Sequence, residues 1–314
     1  MPIDIDASPP VAHDTSMDSP WMKIGATSDP EIVWQSACQA IQLATPSHDL
    51  TEARQTLDFL LALFAGKVPG YQPLKTLYHN CTHTMEVFLC ASRLLHGMSR
   101  HGTILDSTMI DAVLIGALLH DTGYVLEDNE VGGSGAQFTS EHVKRGIGFA
   151  RRHFNHLPPD LLNMLCVAIE TTDHRIDPTA IHYPNPIANL SAKVLATADL
   201  VGQMASREYL ERLLFLYFEF REAGVGDFAD MDDLLEKTLG FYTVTQARLY
   251  GHLDGLADRL ALHFLNTIGV ERNYYMESIA RNISYLRQVL SHDRSERLDY
   301  LKRGGIVDQV RLTA

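Results

Sequence analysis

The chain has 314 residues, 46% of them hydrophobic, with four cysteines and a formal net charge of −13; its pI is near 5.5. That acidic balance disfavours a protein that holds a nucleic-acid polymer, because such binding relies on clustered Lys and Arg neutralising phosphates. A small anion stays compatible if metal ions supply the positive charge. Cys38, Cys81, Cys90 and Cys166 lack CxxC spacing and are too scattered for a disulfide framework. No apolar run approaches the ~20 residues of a membrane span, and the first residues lack a signal peptide's basic start and apolar stretch. The expected setting is cytoplasmic, with no membrane partner.

Residues 1–30 carry Pro9-Pro10, Pro20 and Pro30 among Asp, Ser and Thr. With so little apolar periodicity they read as a flexible N-terminal arm. No internal repeat or low-complexity linker divides the rest, so 31–314 reads as a single helical domain. Apolar positions at three- and four-residue spacing, broken by Gly, Pro, Asn or Asp, predict helices over 31–44, 50–66, 80–96, 107–120, 138–155, 159–171, 188–204, 206–223 and 230–238. Further helices are predicted over 241–268, with a break near Gly251 or Gly255, and over 272–302, and convincing period-two strands are absent. Thr108 to Asp111 has capping-box spacing, and Gly97 stands where a helix C-cap is wanted. The segment Glu127 to Gln137, with Gly132-Gly133-Ser134-Gly135, is too glycine-rich for helix and is either a mobile lid or a plain connector.

Chemistry-bearing residues sit along these helices. His120-Asp121 closes the apolar run from Met109 to Leu119, and an imidazole beside a carboxylate at the end of a dry helix has the makings of a metal site. His79 and His83 are four apart, which on a helix puts both imidazoles on one face a turn apart; taken alone, the pair is equally two ordinary polar residues. Asp199 lies in the apolar stretch Val194 to Val201, where an ionised carboxylate needs a partner, either a cation or a structural salt bridge. Glu141 and Asp173 also have apolar surroundings, and each alone reads as a surface or capping acid. Taken together, these imidazoles and carboxylates suit a mixed nitrogen and oxygen site for two divalent cations.

The series Tyr78-His79-Asn80-x-x-His83-x-x-Glu86-Val87, then Ala117-Leu118-Leu119-His120-Asp121, then Thr172-Asp173, then Ala198-Asp199-Leu200 resembles the HD-domain metal-dependent phosphohydrolases. Among these it is most similar to the class I cyclic-nucleotide phosphodiesterase catalytic domain. The similarity continues through Glu141 to Phe149, Phe218-Glu219-Phe220 followed by Gly224, and Leu239-Gly240-Phe241. It covers about 70–250, a motif core followed by C-terminal helices over 251–314.

The resemblance implies an all-α, multi-helix bundle with a dinuclear metal site between helices. It implies two divalent ions (Zn, Mn, Mg or Fe), the first held by His83, His120, Asp121 and Asp199, with Asp121 bridging to the second. His79 would be the general acid, Glu141 would orient water around the second metal and support His79, and Asp173 would help position the bridging water. The implied reaction is in-line attack on a phosphodiester by a hydroxide bridging the cations, with protonated His79 supplying the departing oxygen.

The sequence departs from the family in two places. The His-Asp pair is followed by Thr122-Gly123-Tyr124 instead of His, Pro and Gly. The glutamine expected three residues before the purine-clamping phenylalanine is replaced by Thr238, ahead of Phe241, and a hydroxyl cannot make a glutamine's two-pronged contact to a base edge. Phe241 is either a stacking face or core, Gln246 could bring an amide from another direction, and Tyr78 completes the substrate-binding candidates. The stretch Tyr209 to Phe218 reads as core or a helix packing face.

The expected function is a metal-dependent phosphohydrolase acting on a small phosphorylated substrate, first a cyclic-nucleotide-like or other small phosphodiester. The alternatives are a nucleotide phosphomonoesterase and an HD-type di-iron oxygenase. Native metal, substrate and regulation stay open, as does a homo-oligomeric state.

Overall fold

In a computed structural model, residues 19–25 and 29–313 are described, and they form an all-α structure. Among them, extended pairing is limited to one bridge, Tyr71 to Glu127. The helices are α1 (Pro20–Ile24), α2 (Pro30–Ala44), α3 (Thr51–Phe64), α4 (Cys81–Arg100), α5 (Ser107–Leu119), α6 (His142–His153), α7 (Pro159–Thr172), α8 (Pro186–Met204), α9 (Tyr209–Ala223), α10 (Met231–Ala247), α11 (Leu260–Ile268), α12 (Tyr274–Leu290), α13 (Arg297–Tyr300) and α14 (Ile306–Thr313).

Helices α4, α5, α7 and α8 pack on one another at the centre. α5 is apolar all round: from Met109 to Leu119 every residue except Asp111 is buried, as expected of a helix enclosed on all sides. α4 is buried from Met85 to Met98 apart from Glu86. α2 covers α4, α3 covers α5, and α9, α10 and α12 close the opposite side around α8. Asx side chains set the starts of the two helices that frame the site: Asn80 accepts from His83 N at 3.2 Å, and Asn185, followed by Pro186, accepts from Ala188 N at 2.8 Å.

Several boundaries differ from those predicted. Residues 1–18 of the expected arm, and 26–28, lie outside the described residues, but the described part is helix α1, with Trp21 buried and Arg303 over its ring. Gly97 is not a C-cap. α4 runs on to Arg100, and Gly97 is small because a Cβ there would lie 2.0 Å from Arg259 O. The capping box at Thr108 is absent; Asp106 caps α5 by accepting from Met109 N, and Asp111 pairs with His48 at 3.0 Å. The Gly240 position is open, so α10 continues through it, and the break comes at Asp254-Gly255, both left-handed. Ser291 to Asp293 ends α12, where Arg297 donates to Leu290 O and His292 O, and α14 follows as a helix the periodicity did not reveal.

Candidate metal centre

The first turn of α4, the end of α5 and the middle of α8 bring four side chains together. His83 Nε2 lies 3.2 Å from His120 Nε2, 3.1 Å from Asp121 Oδ2 and 3.4 Å from Asp199 Oδ1. His120 Nε2 lies 3.2 Å from Asp121 Oδ2 and 3.8 Å from Asp199 Oδ1. Ligand atoms of His83, His120 and Asp199 all fall within 4.8 Å of one another. His120 donates Nδ1–H to Ala117 O at 3.0 Å, which leaves Nε2 as the ring atom that faces the cluster.

The donors are those a divalent cation takes, imidazole nitrogen and carboxylate oxygen with no thiolate. Asp121 Oδ2 is buried and makes no hydrogen bond of acceptable geometry, although two imidazole nitrogens crowd it, and His83 Nδ1 is likewise without a partner. An orphaned buried oxygen such as Asp121 Oδ2, faced by imidazole nitrogens, fits a site that could take an ion. Burial alone would lower the His120 pKa, yet Asp121 and then Asp199 raise it to about 9. Burial alone would raise the Asp121 carboxyl, yet the surrounding imidazoles hold it well below the usual carboxylate range. A cation bound there takes over the charge compensation that His120 gives by staying protonated.

His79 does not share a helix face with His83, because it precedes the Asn80 cap, in the turn before α4. A buried carboxylate fixes it: Glu219 of α9 accepts from His79 Nδ1 at 2.6 Å and from the Tyr78 backbone N–H at 2.6 Å. The free Nε2 edge is thereby left to the cavity. Burial works against a charge on His79, but Glu219, with Asp121 and Asp199 behind it, raises its pKa.

Glu141 does not play its expected part. It is exposed at the N-cap position of α6, and Glu219 holds His79 instead. The predicted helix over 138–155 starts only at His142, after a 3-10 turn at Ala136–Phe138, and this rotates Glu141 outward. His142 turns inward. Its Nδ1 donates to Thr139 O at 2.7 Å and its Nε2 stands 3.9 Å from Asp121 Oδ1. Tyr124 is sandwiched between the rings of His79, at 4.5 Å, and His142, at 4.6 Å. Gly123 permits this layer, since a Cβ there would lie 1.9 Å from His142 O.

The cluster opens into a cavity of about 390 Å³. Asp173 lines it, paired with Arg175 through contacts of 2.8 and 2.7 Å. Tyr78 donates its hydroxyl to Gln203 Oε1 at 2.7 Å, and the Gln203 amide lies 3.3 Å from Asp199 Oδ1. Thr238 and Phe241 reach the cavity, Phe241 edge-on to His174 at 6.0 Å. Thr238 spends its hydroxyl proton on Leu234 O at 2.8 Å. Gln246 is not part of the lining.

His142 and Glu219 are the residues that sequence reasoning did not assign. A carboxylate between two phenylalanines, as in Phe218-Glu219-Phe220, is itself a signal, since a buried acid needs a partner. The Gly-rich segment after the His-Asp pair is tied to α9, where Glu222 accepts from Ser134 N and Ser134 Oγ at 2.7 and 2.9 Å. The chain is similar over residues 127–250 to the family described as Npun_R2479-like. That segment includes His142, Asp173, Asp199 and Glu219, and leaves out His79, His83, His120 and Asp121. No curated protein matches the chain.

Proposed function

We propose that this protein is a metal-dependent phosphohydrolase acting on a small phosphodiester. The observation that carries the reading is that His83, His120 and Asp199 each offer a ligand atom within 4.8 Å of the others, with Asp121 Oδ2 3.1 and 3.2 Å from the two imidazoles, beside a histidine oriented by a buried glutamate. His83, His120, Asp121 and Asp199 would hold one cation, and the free Asp121 Oδ1 with His142 offers donors toward a second. A cation so held supplies positive charge that polarises a phosphoryl oxygen and acidifies a neighbouring water.

The chain's own groups account for the remaining requirements. Glu219 aims His79 and favours its protonated form, so that its Nε2–H can go to the departing ester oxygen. Tyr124, packed between His79 and His142, keeps both rings from rotating. Arg175, anchored on Asp173, presents a guanidinium at the cavity wall that suits a phosphate oxygen. Gln203 links Tyr78 to Asp199 and fixes the carboxylate's direction.

The test is turnover of bis(p-nitrophenyl) phosphate, cyclic AMP and cyclic GMP by protein whose metal content has been measured. Hydrolysis that is lost in His79→Gln and Asp121→Asn is the expected result. Absence of any turnover dependent on those two residues, in protein that holds metal, refutes the reading. His142 gives the second position a nitrogen donor, which suits iron as well as zinc, and oxygen uptake in the same samples separates an iron oxygenase from a hydrolase.

A further inference from the structure

The cavity beside the metal cluster has two unlike walls. One is polar, made by the start of α4, the His-Asp corner, the α6 start and the α7 end. The other comes from α9, the turn at 225–228 and α10, and its large side chains are mostly apolar, Lys237 and the Tyr209 hydroxyl excepted. On α9 the face is Tyr209, Leu213, Leu216 and Phe220, spaced four, three and four, so a single stripe of the helix looks into the cavity. All of the stripe but Phe220 belongs to the segment expected to be core or a helix packing face, and its second half lines the cavity, with Leu216 and Phe220 only half-buried. Phe228 stacks on Phe220 at 5.6 Å and Phe241 enters from α10, both also half-buried.

Apart from the Tyr209 hydroxyl, the polar groups of the apolar wall are already engaged. The Thr238 hydroxyl is taken by Leu234 O, the Lys237 ammonium lies against Asp227 O and Asp233 Oδ2, and Gln246 is outside the cavity. A site that selects a purine needs donors and acceptors for its edge, and a wall so short of them gains little discrimination from one. The same wall gains from every methylene it covers.

We infer that the substrate is an amphiphile, a phosphoester whose alcohol portion is an aliphatic chain or an unsubstituted aromatic ring lodged against Leu216, Phe220, Phe228 and Phe241. The placing of its phosphate at the metal cluster and Arg175 rests on the hydrolase reading; the apolar chamber does not. At about 390 Å³ the cavity lies at the small end of ligand sites (~300–1,000 Å³), enough for a head group with one short chain or ring and too small for a two-chain lipid.

The experiment is calorimetric titration of the metal-loaded full chain with monoalkyl phosphates from ethyl to octyl, and with adenosine 5′-monophosphate. Affinity should rise about three- to fourfold per methylene until the chamber is full, and octyl phosphate should outbind the nucleotide. Leu216→Asn and Phe228→Asn, each checked by its melting temperature, should reduce that slope, and two variants guard against one failing to fold. A second arm offers phosphatidic acid in dioleoyl vesicles, which should bind less than monomeric octyl phosphate.

A flat series, no binding, tighter binding of the nucleotide, or preference for vesicles each overturns the inference. A flat series in protein that hydrolyses bis(p-nitrophenyl) phosphate leaves the hydrolase reading intact. A steep series in protein that hydrolyses nothing sinks that reading and spares the chamber.

Discussion

Helix α4 carries a buried histidine near each end, and each meets a histidine from another helix. At the start, His83 faces His120 with 3.2 Å between nitrogens; near the other end, His96 faces His263 at 2.9 Å. Around the first pair stand Asp121 and Asp199, whereas around the second stand the Asn266 amide and the Arg93 guanidinium. The first environment raises the His120 pKa to about 9 against its burial. In the second, burial, then Arg93 and His96, lowers the His263 pKa to about 2. Two imidazoles in contact therefore do not suffice for the proposed metal site; the carboxylates would complete it, because they supply both further donors and the negative charge that a cation neutralises.

The largest effect should come from removing that charge. Asp121→Asn keeps the side chain's shape and takes away the anion shared by both imidazoles. Metal content measured by atomic emission should fall from stoichiometric toward zero, and hydrolysis should drop by roughly 10³-fold or more, the several kcal/mol a cation contributes. The same analysis of wild type and His263→Leu should find equal metal, since the second pair holds none. Metal that survives Asp121→Asn, or disappears with His263→Leu, breaks the comparison.

Next in size is the proton donor. His79→Gln should retain metal and lose roughly 10²- to 10⁴-fold in kcat, as for loss of a general acid. Glu219→Gln should do less and in a diagnostic way. Glu219 raises the His79 pKa, so activity that requires protonated His79 falls away as pH rises through that value. Removing the carboxylate should move this alkaline limb of the kcat profile to lower pH. An unmoved limb would show that another group sets it.

The glycines beside each pair offer a third contrast. Gly123→Ala forces the turn after Asp121 away from α6 and carries His142 with it, while Gly97→Ala forces α4 from the Arg259 backbone that leads into α11. Each overpacks a close contact, at a cost of about 1–3 kcal/mol. Only Gly123→Ala should also lower activity once its loss of stability is allowed for, and denaturant melts run alongside assays would detect a failure of that asymmetry.

How much of this the sequence revealed follows from the same physics. The central helices were legible because α5 and α8 keep apolar side chains on nearly every face, and His120, Asp121 and Asp199 stood out as charge within those runs. The helix predicted over 80–96 starts within a residue of α4, yet the four-residue spacing of His79 and His83 does not reveal that His79 lies ahead of the Asn80 cap and off the helix face. The role of Glu141 is implied by the resemblance alone, and the periodicity over 138–155 does not reveal that α6 begins only at His142, which turns His142 inward and leaves Glu141 exposed. The stripe on α9 has the spacing of a core helix, and spacing alone cannot say whether a wall faces another helix or a cavity.

The smallest effect sharpens the contrast through pH. His263 has a folded-state pKa of about 2 against an ordinary value of 6.5, so the unfolded chain takes up a proton that the folded chain refuses. Its contribution to stability is complete above pH 6.5 and declines as pH falls below that value, at about 1.4 kcal/mol per pH unit and about 2 kcal/mol by pH 5. His120 in metal-free protein has the opposite sign: its raised pKa stabilises fully below pH 6.5, and that contribution is lost as pH climbs through about 9. Urea melts of metal-free protein should therefore lose stability on the acid side through His263 and on the alkaline side through His120. His263→Leu should flatten the acid slope toward the share left to His96, His142, His153 and His174, whose pKa values burial also lowers. An acid slope identical in wild type and variant would mean that His263 titrates normally, and the two pairs would then not differ in the way their surroundings require.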